Sequence, residues 1–189
     1  MSQYFKKIFA IVIIILPILS FADVSVWQLI PEKSSLIFTA TQNNAPVSGK
    51  FKKFAGDIHF DPAQLKASHV RIVIDMSSVS TDYADVADTL KTAEWFNVVS
   101  FPQAVFTAEN FTQTGNHSYQ ANGTLTIRDK TVPVVMIFTL EGFSQTTARA
   151  KGSAMLKRLA FEVGQGEWQK TDNVQDEVQV QFTVAAIKK

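Results

Sequence analysis

The chain has 189 residues, 46% hydrophobic and 19% charged, a composition that suits one packed domain rather than a disordered or repetitive chain. Eighteen Lys and Arg against seventeen Asp and Glu leave no strong field of either sign, which disfavours a nucleic-acid binder working by phosphate neutralisation. The absence of cysteine excludes metal–thiolate centres, iron–sulfur clusters, thiol catalysis, covalently held haem and disulfides.

Lys6 and Lys7 precede the apolar run from Ile8 to Leu19, and Ser20-Phe21-Ala22 supplies the small residues that signal peptidases accept. The run is about 12 residues long, whereas a membrane-spanning helix takes about 20. The reading is a signal peptide over residues 1–22 and a single exported domain over 23–189. No cysteine follows the run, so lipidation at a cysteine is not available to the mature chain.

From Val24 onward, period two dominates. Val24–Ile30 is a candidate strand, followed by the alternating set Leu36/Phe38/Ala40 and the turn signal Asn43-Asn44-Ala45-Pro46. Val47 to Phe60 reads as a strand that changes phase: Val47, Gly49 and Phe51 share one parity and Phe54, Gly56, Ile58 and Phe60 the other, so a bulge or bend is expected at Lys52-Lys53. After Asp61-Pro62 comes Val70/Ile72/Ile74. Thr81 to Phe96 is the one convincing helix, with Val86, Leu90 and Ala93 at helical spacing, Thr81 or Asp82 as cap, and Asp85 and Asp88 near its N-terminus. Alternation resumes at Ala104/Phe106/Ala108, Tyr119 to Ile127, Val134 to Leu140, Arg149–Leu156 and, most strictly, Val178/Val180/Phe182/Val184. Eight or nine short strands in succession predict an all-β antiparallel sandwich or closed barrel, with a lone helix covering a barrel mouth or the gap between two sheets.

Little in this pattern carries chemistry. His59, His69 and His117 fall on or beside different strands without a His-x-His pair, and no metal site is assigned to them. There is no Gly-x-Ser-x-Gly elbow and no glycine-rich phosphate loop. The acidic groups Asp57/Asp61, Asp82/Asp85/Asp88 and Asp176/Glu177 sit where solvation, capping or turns explain them, so no catalytic residue is assigned. The chain is instead rich in aromatics, with 15 Phe, and many of them share the inward parity with small residues such as Ala104, Ala108, Ala121, Gly123, Ala150, Gly152 and Ala154. An eight-stranded barrel can be filled by side chains or hold one slender ligand, and large and small residues on one face are compatible with either.

A longer pattern overlies the periodicity. It runs from Trp27 through Ser34-x-Leu36-x-Phe38 and Val47-x-Gly49-x-Phe51-x-x-Phe54-x-Gly56-x-Ile58-x-Phe60-Asp61-Pro62 to Ser77-Ser78-Val79-x-Thr81. It continues with Leu90-Lys91-x-x-Glu94-Trp95-Phe96-Asn97-Val98, Phe101-Pro102-x-Ala104-x-Phe106, Gly123-x-Leu125-Thr126-Ile127-Arg128, Arg158-Leu159-Ala160-Phe161 and Asp176-Glu177-Val178. In order and spacing the chain resembles the YceI-like family of exported polyisoprenoid-binding proteins over nearly the whole mature length. The stretch Gly164-Gln165-Gly166-Glu167-Trp168 is similar to a subgroup that occurs beside or fused to membrane b-type cytochromes.

The resemblance implies an eight-stranded lipocalin-like barrel whose apolar interior takes an isoprenoid lipid, either an isoprenoid quinone or a polyprenyl chain. It implies a non-enzymatic periplasmic protein for transport, storage or delivery, with a membrane or b-type cytochrome partner and a homodimer left open. An Arg-Asp-x-His found in many members is replaced here by Val86-Ala87-Asp88-Thr89, and a familiar histidine by Lys33, which favours an uncharged head. The ligand wall is expected at Phe38, Phe51, Phe54, Ile72, Ile74, Phe106, Leu125, Ile127, Phe138 and Phe182, with Trp95 and Phe96 as lid, Trp168 at the rim, and Lys157 and Arg158 as weaker head-group candidates. The alternatives are a lipid-modifying enzyme and a structural or stress-related barrel with a plugged interior.

Overall fold

The computed structural model describes residues 24–189; the expected cleavage after Ala22 lies outside them. The strands are β1 (Val26–Leu29), β2 (Ser35–Gln42), β3 (Ala45–Phe51), β4 (Phe54–His59), β5 (His69–Asp75), β6 (Val79–Thr81), β7 (Gln103–Gly115), β8 (Ser118–Ile127), β9 (Lys130–Phe143), β10 (Thr147–Lys157) and β11 (Val174–Lys188), and the helix α1 is Ala84–Lys91. Every pairing is antiparallel, and β11 pairs with β1 as well as with β10 and β2, which closes the sheet on itself. β1 runs on into β2, β3 into β4 and β5 into β6, so the wall is a barrel of eight staves in sequence order, three of them broken. The expected all-β, eight-stranded, lipocalin-like architecture with a single helix is what forms.

Each break has a local cause. Between β1 and β2, Pro31 opens a 3₁₀ turn, and Ser34 restores the lost ladder: its Oγ donates to the Ile30 carbonyl at 2.7 Å and accepts from the Ala185 amide at 3.0 Å. Between β3 and β4, the phase change at Lys52-Lys53 is real. The Lys52 amide donates to the Ser78 carbonyl at 3.2 Å and the Lys53 amide to Ser78 Oγ at 3.0 Å. Ser78 belongs to the 3₁₀ turn that breaks β5 from β6, which Asp75 caps by accepting from the Ser77 amide at 2.9 Å. The two breaks therefore stitch each other.

The helix is shorter than its sequence pattern. It covers Ala84–Lys91 rather than reaching Phe96, and Tyr83 is its N-cap without a side-chain hydrogen bond, because the Thr81 hydroxyl bonds the Tyr83 backbone instead of capping the turn. Thr92 ends it, and the following turns carry Trp95 and Phe96 over one barrel mouth. Leu90, Trp95, Phe96, Phe161 and Val163, all below 10% exposed, fill that mouth. Trp27, Phe60, Tyr119, Leu140 and Ala186 pack the other, where the Trp27 indole donates to the Phe60 carbonyl at 2.9 Å.

Two arginines fasten the cover. Arg128, in the left-handed region at φ 56°, donates to the carbonyls of Ala93 (2.9 Å) and Trp95 (2.6 Å). Arg158, 4% exposed, donates from Nε to Gln175 O at 3.0 Å and from its terminal nitrogens to Val163 O at 2.9 Å, Trp168 O at 2.7 Å and Val174 O at 2.8 Å. One side chain thus gathers the whole connection between β10 and β11.

Candidate functional site

Inside the barrel lies an apolar cavity of about 290 Å³. It follows from an uneven core. On β7 and β8 the inward residues Ala104, Phe106, Ala121 and Leu125 also line it while staying only 2–7% exposed. Those of β5 and β11, including Val70, Ile72, Ile74, Val178, Val180 and Val184, are only partly buried and line the hollow. Small residues do not all contribute empty space: the missing side chains of Gly49 and Gly152 are replaced by the rings of Phe38 and Phe182, their direct cross-strand partners, and the space beside Gly123 is taken by the Thr107 carbonyl with Ala108 and Phe106 behind it.

The expected wall residues Phe38, Phe51, Phe54, Ile72, Ile74, Phe106, Leu125, Ile127, Phe138 and Phe182 all line this cavity, as do Trp95 and Phe96. Trp168 does not. Its ring backs Trp95 at 5.4 Å and its indole donates to Glu94 Oε2 at 3.0 Å, so it buttresses the cover. Lys157 is exposed and absent from the lining. Arg158 is the only charged lining residue among the described residues, but its N–H groups are spent on backbone carbonyls. Burial lowers its pKa, with Asp176 opposing, and a guanidinium stays charged regardless. Of the two head-group candidates, Lys157 lies on the exposed outer surface and Arg158 holds backbone carbonyls.

One buried polar atom of a lining residue is unpaired. Trp95 is 8% exposed, and its Nε1 is buried without an acceptor among the described residues. Buried donors in native proteins nearly always find a partner, and no periodicity in the sequence marks this one.

The wall also carries a seam. The β1–β4 ladder ends at Gln28↔Asp57, and the β2–β3 ladder begins only at Ile37↔Lys50. Among the described residues, no ladder pair and no loop hydrogen bond joins residues 30–35 to residues 52–55. Leu36, Phe51 and Phe54 border this gap and line the cavity, as does Ile37, which strand parity would turn outward and which is 36% exposed.

A second cluster lies on the outer wall. Strand register sets His59 opposite His69, with the rings stacked at 4.1 Å, and His59 Nε2 lies 3.3 Å from Asp57 Oδ1. The spacing of the histidines hides this pairing, although Asp57-x-His59 puts those two on one strand face.

Residues 27–186 match the YceI-like domain. The chain belongs to the YceI-like family. Protein YceI of Salmonella arizonae is 36% identical over 94 residues, 50% of this chain and 49% of that protein, so the match spans about half the length of the curated relative. Among solved structures, BcnA of Burkholderia cenocepacia is 32% identical with a TM-score of 0.79, covering 83% of this YceI-like chain and 98% of that one. A polyisoprenoid binding domain from Saccharophagus degradans, 14% identical with a TM-score of 0.67 over 86% and 98% of the two chains, shares the fold. No helix among the described residues is long and apolar enough to cross a membrane.

Proposed function

We propose that this YceI-like chain is an exported, non-enzymatic binding protein that holds an isoprenoid lipid in its barrel, with an isoprenoid quinone as the favoured class. One observation carries the reading: the cavity has an apolar lining apart from one arginine whose donors are already engaged. Such a surface binds hydrocarbon and offers no proton-transfer group. The fold shared with a polyisoprenoid binding domain supports the ligand class.

Size sets the length of tail that fits. A dry cavity of about 150 Å³ takes benzene, so about 290 Å³ holds about a dozen carbons, or two to three isoprene units. At about 0.8 kcal/mol per buried methylene-sized group these contribute about 10 kcal/mol gross, the same order as the cost of association. Tail contact therefore dominates affinity, and longer tails extend through the seam.

The head is read from the polar atoms. A phosphate needs a free cation, and none lines the cavity, whereas a quinone carbonyl can accept from the unpaired Trp95 indole once the ring turns to bring its buried N–H to the hollow. The leader over residues 1–22 and the periplasm it implies belong to the same proposal, as does delivery to a quinone-using membrane partner such as a b-type cytochrome. The test is organic extraction and mass spectrometry of natively purified protein. A prenyl lipid in stoichiometric amount is expected; protein that carries none, and takes up neither quinone nor polyprenol, refutes the reading.

A further inference from the structure

We infer that Asp57, His59 and His69 form a binding site for a divalent transition-metal ion on the outer wall of the barrel, where β4 meets β5. Ile58 and Val70 line the cavity, so strand alternation turns Asp57, His59 and His69 to the opposite face, all on the same side of the sheet. The ladder pairs His59 directly with His69, and Asp57 is two residues from His59 on the same strand. Two imidazoles and a carboxylate are thereby held by adjacent strands rather than by loops, which fixes their Cα positions before any ion arrives.

The distances suit coordination. One donor atom from each of the three residues lies within 4.8 Å of the others. Bonds of about 2.0–2.1 Å in a tetrahedral site put donors about 3.3–3.4 Å apart, and His59 Nε2 to Asp57 Oδ1 is already 3.3 Å. Closing the third side asks only for rotation of the exposed His69 side chain. Its Nδ1 lies 3.4 Å from the Ala67 carbonyl, which accepts from Nδ1–H in the tautomer that leaves Nε2 free to ligate, the usual outer-shell arrangement of a metal-binding histidine.

The placing of Asp57 is informative because it has an alternative. Arg71 is its direct cross-strand partner, yet the carboxylate sits against His59, and no Asp57–Arg71 ion pair occurs among the described residues. The donor set of two nitrogens and one carboxylate oxygen, without thiolate, selects zinc, nickel or copper over calcium or magnesium. Three protein ligands leave room for water at the remaining positions. A bound ion would clip β4 to β5 next to Phe60, outside the lipid cavity, so this site stands or falls independently of lipid binding.

The experiment titrates untagged, chelator-stripped mature protein with Zn²⁺ by calorimetry, alongside thermal melts with and without Zn²⁺. One saturable ion per chain is expected, with a metal-dependent rise in Tm. His59→Ala and His69→Ala should each weaken binding at least tenfold, and the double variant should lose both binding and the Tm shift. All three side chains point away from the core, so circular dichroism of the variants should match the wild type. Absence of saturable Zn²⁺ binding, or equal binding by the double variant, overturns the proposal. Wild-type affinity in Asp57→Asn removes the carboxylate and overturns the three-ligand site.

Discussion

The ring of Phe182 stands where a side chain on Gly152, its directly paired residue across β10 and β11, would have to be. The carbonyl of Ile137 and the Cβ of Phe138 crowd the same spot. Gly152→Ala must therefore move Phe182 into the hollow or push β9 and β10 apart. Overpacking of this kind costs about 1–3 kcal/mol, to be read as a lower urea midpoint, and a displaced ring should reduce uptake of a prenyl ligand as well.

Val180 faces the cavity and is only partly buried. Val180→Trp should fill space that is otherwise empty, so lipid binding should fall at least tenfold while the unfolding midpoint stays near the wild-type value. A plugged interior would give the reverse, with a large stability loss and no ligand to lose; paired lipid-uptake and urea titrations separate the two.

Trp95→Phe keeps an aromatic cover and removes the unpaired indole donor. A hydrogen bond contributes about 0.5–1.5 kcal/mol, so affinity for a short-chain isoprenoid quinone should drop about twofold to tenfold. Affinity for a prenyl hydrocarbon without oxygen should not change. Equal losses for both ligands would mean that the ring, rather than its N–H, is what matters.

Arg158→Met should leave several buried carbonyls without donors, at about 1–3 kcal/mol for a group left unpaired. The expected outcome is a loss of at least about 3 kcal/mol by chemical denaturation, not rescued by Arg158→Lys, whose compact ammonium cannot span the same carbonyls. Lys157→Ala, on the outer surface, should leave both stability and lipid affinity unchanged.

Tyr119 sets an alkaline limit. Burial raises its phenol pKa above the ordinary value near 10. The unfolded chain ionises first, so the contribution of the neutral ring is complete below the unfolded pKa and is lost as pH climbs toward the raised folded value. Urea midpoints should fall between pH 9 and 11 (about one unit either side of the ordinary phenol pKa), and Tyr119→Phe should flatten that fall.

The barrel was legible because its strands keep one face wet and one face dry: the run Val178 to Val184 and the parity change at Lys52-Lys53 both appear where the pattern puts them. Helix length was less so. Spacing extends to Phe96, but the Trp95-Phe96 pair is drawn into the barrel mouth by burial rather than held on a helical face. Arg158 sits in a family motif whose residues do not say whether it meets a ligand or the backbone, and only the fold of the β10–β11 connection decides that. His59 and His69 meet through ladder register, a relation between strands that no single-strand pattern contains.

The interrupted pairing between residues 30–35 and 52–55 bears on how a guest could be loaded. Passage through either mouth requires displacing packed aromatic rings, whereas a tail laid sideways against Leu36, Ile37 and Phe54 would reach the interior without rupturing one amide-to-carbonyl bond of the wall. Loading and unloading would then be governed by side-chain rotation, on timescales far shorter than those of unfolding.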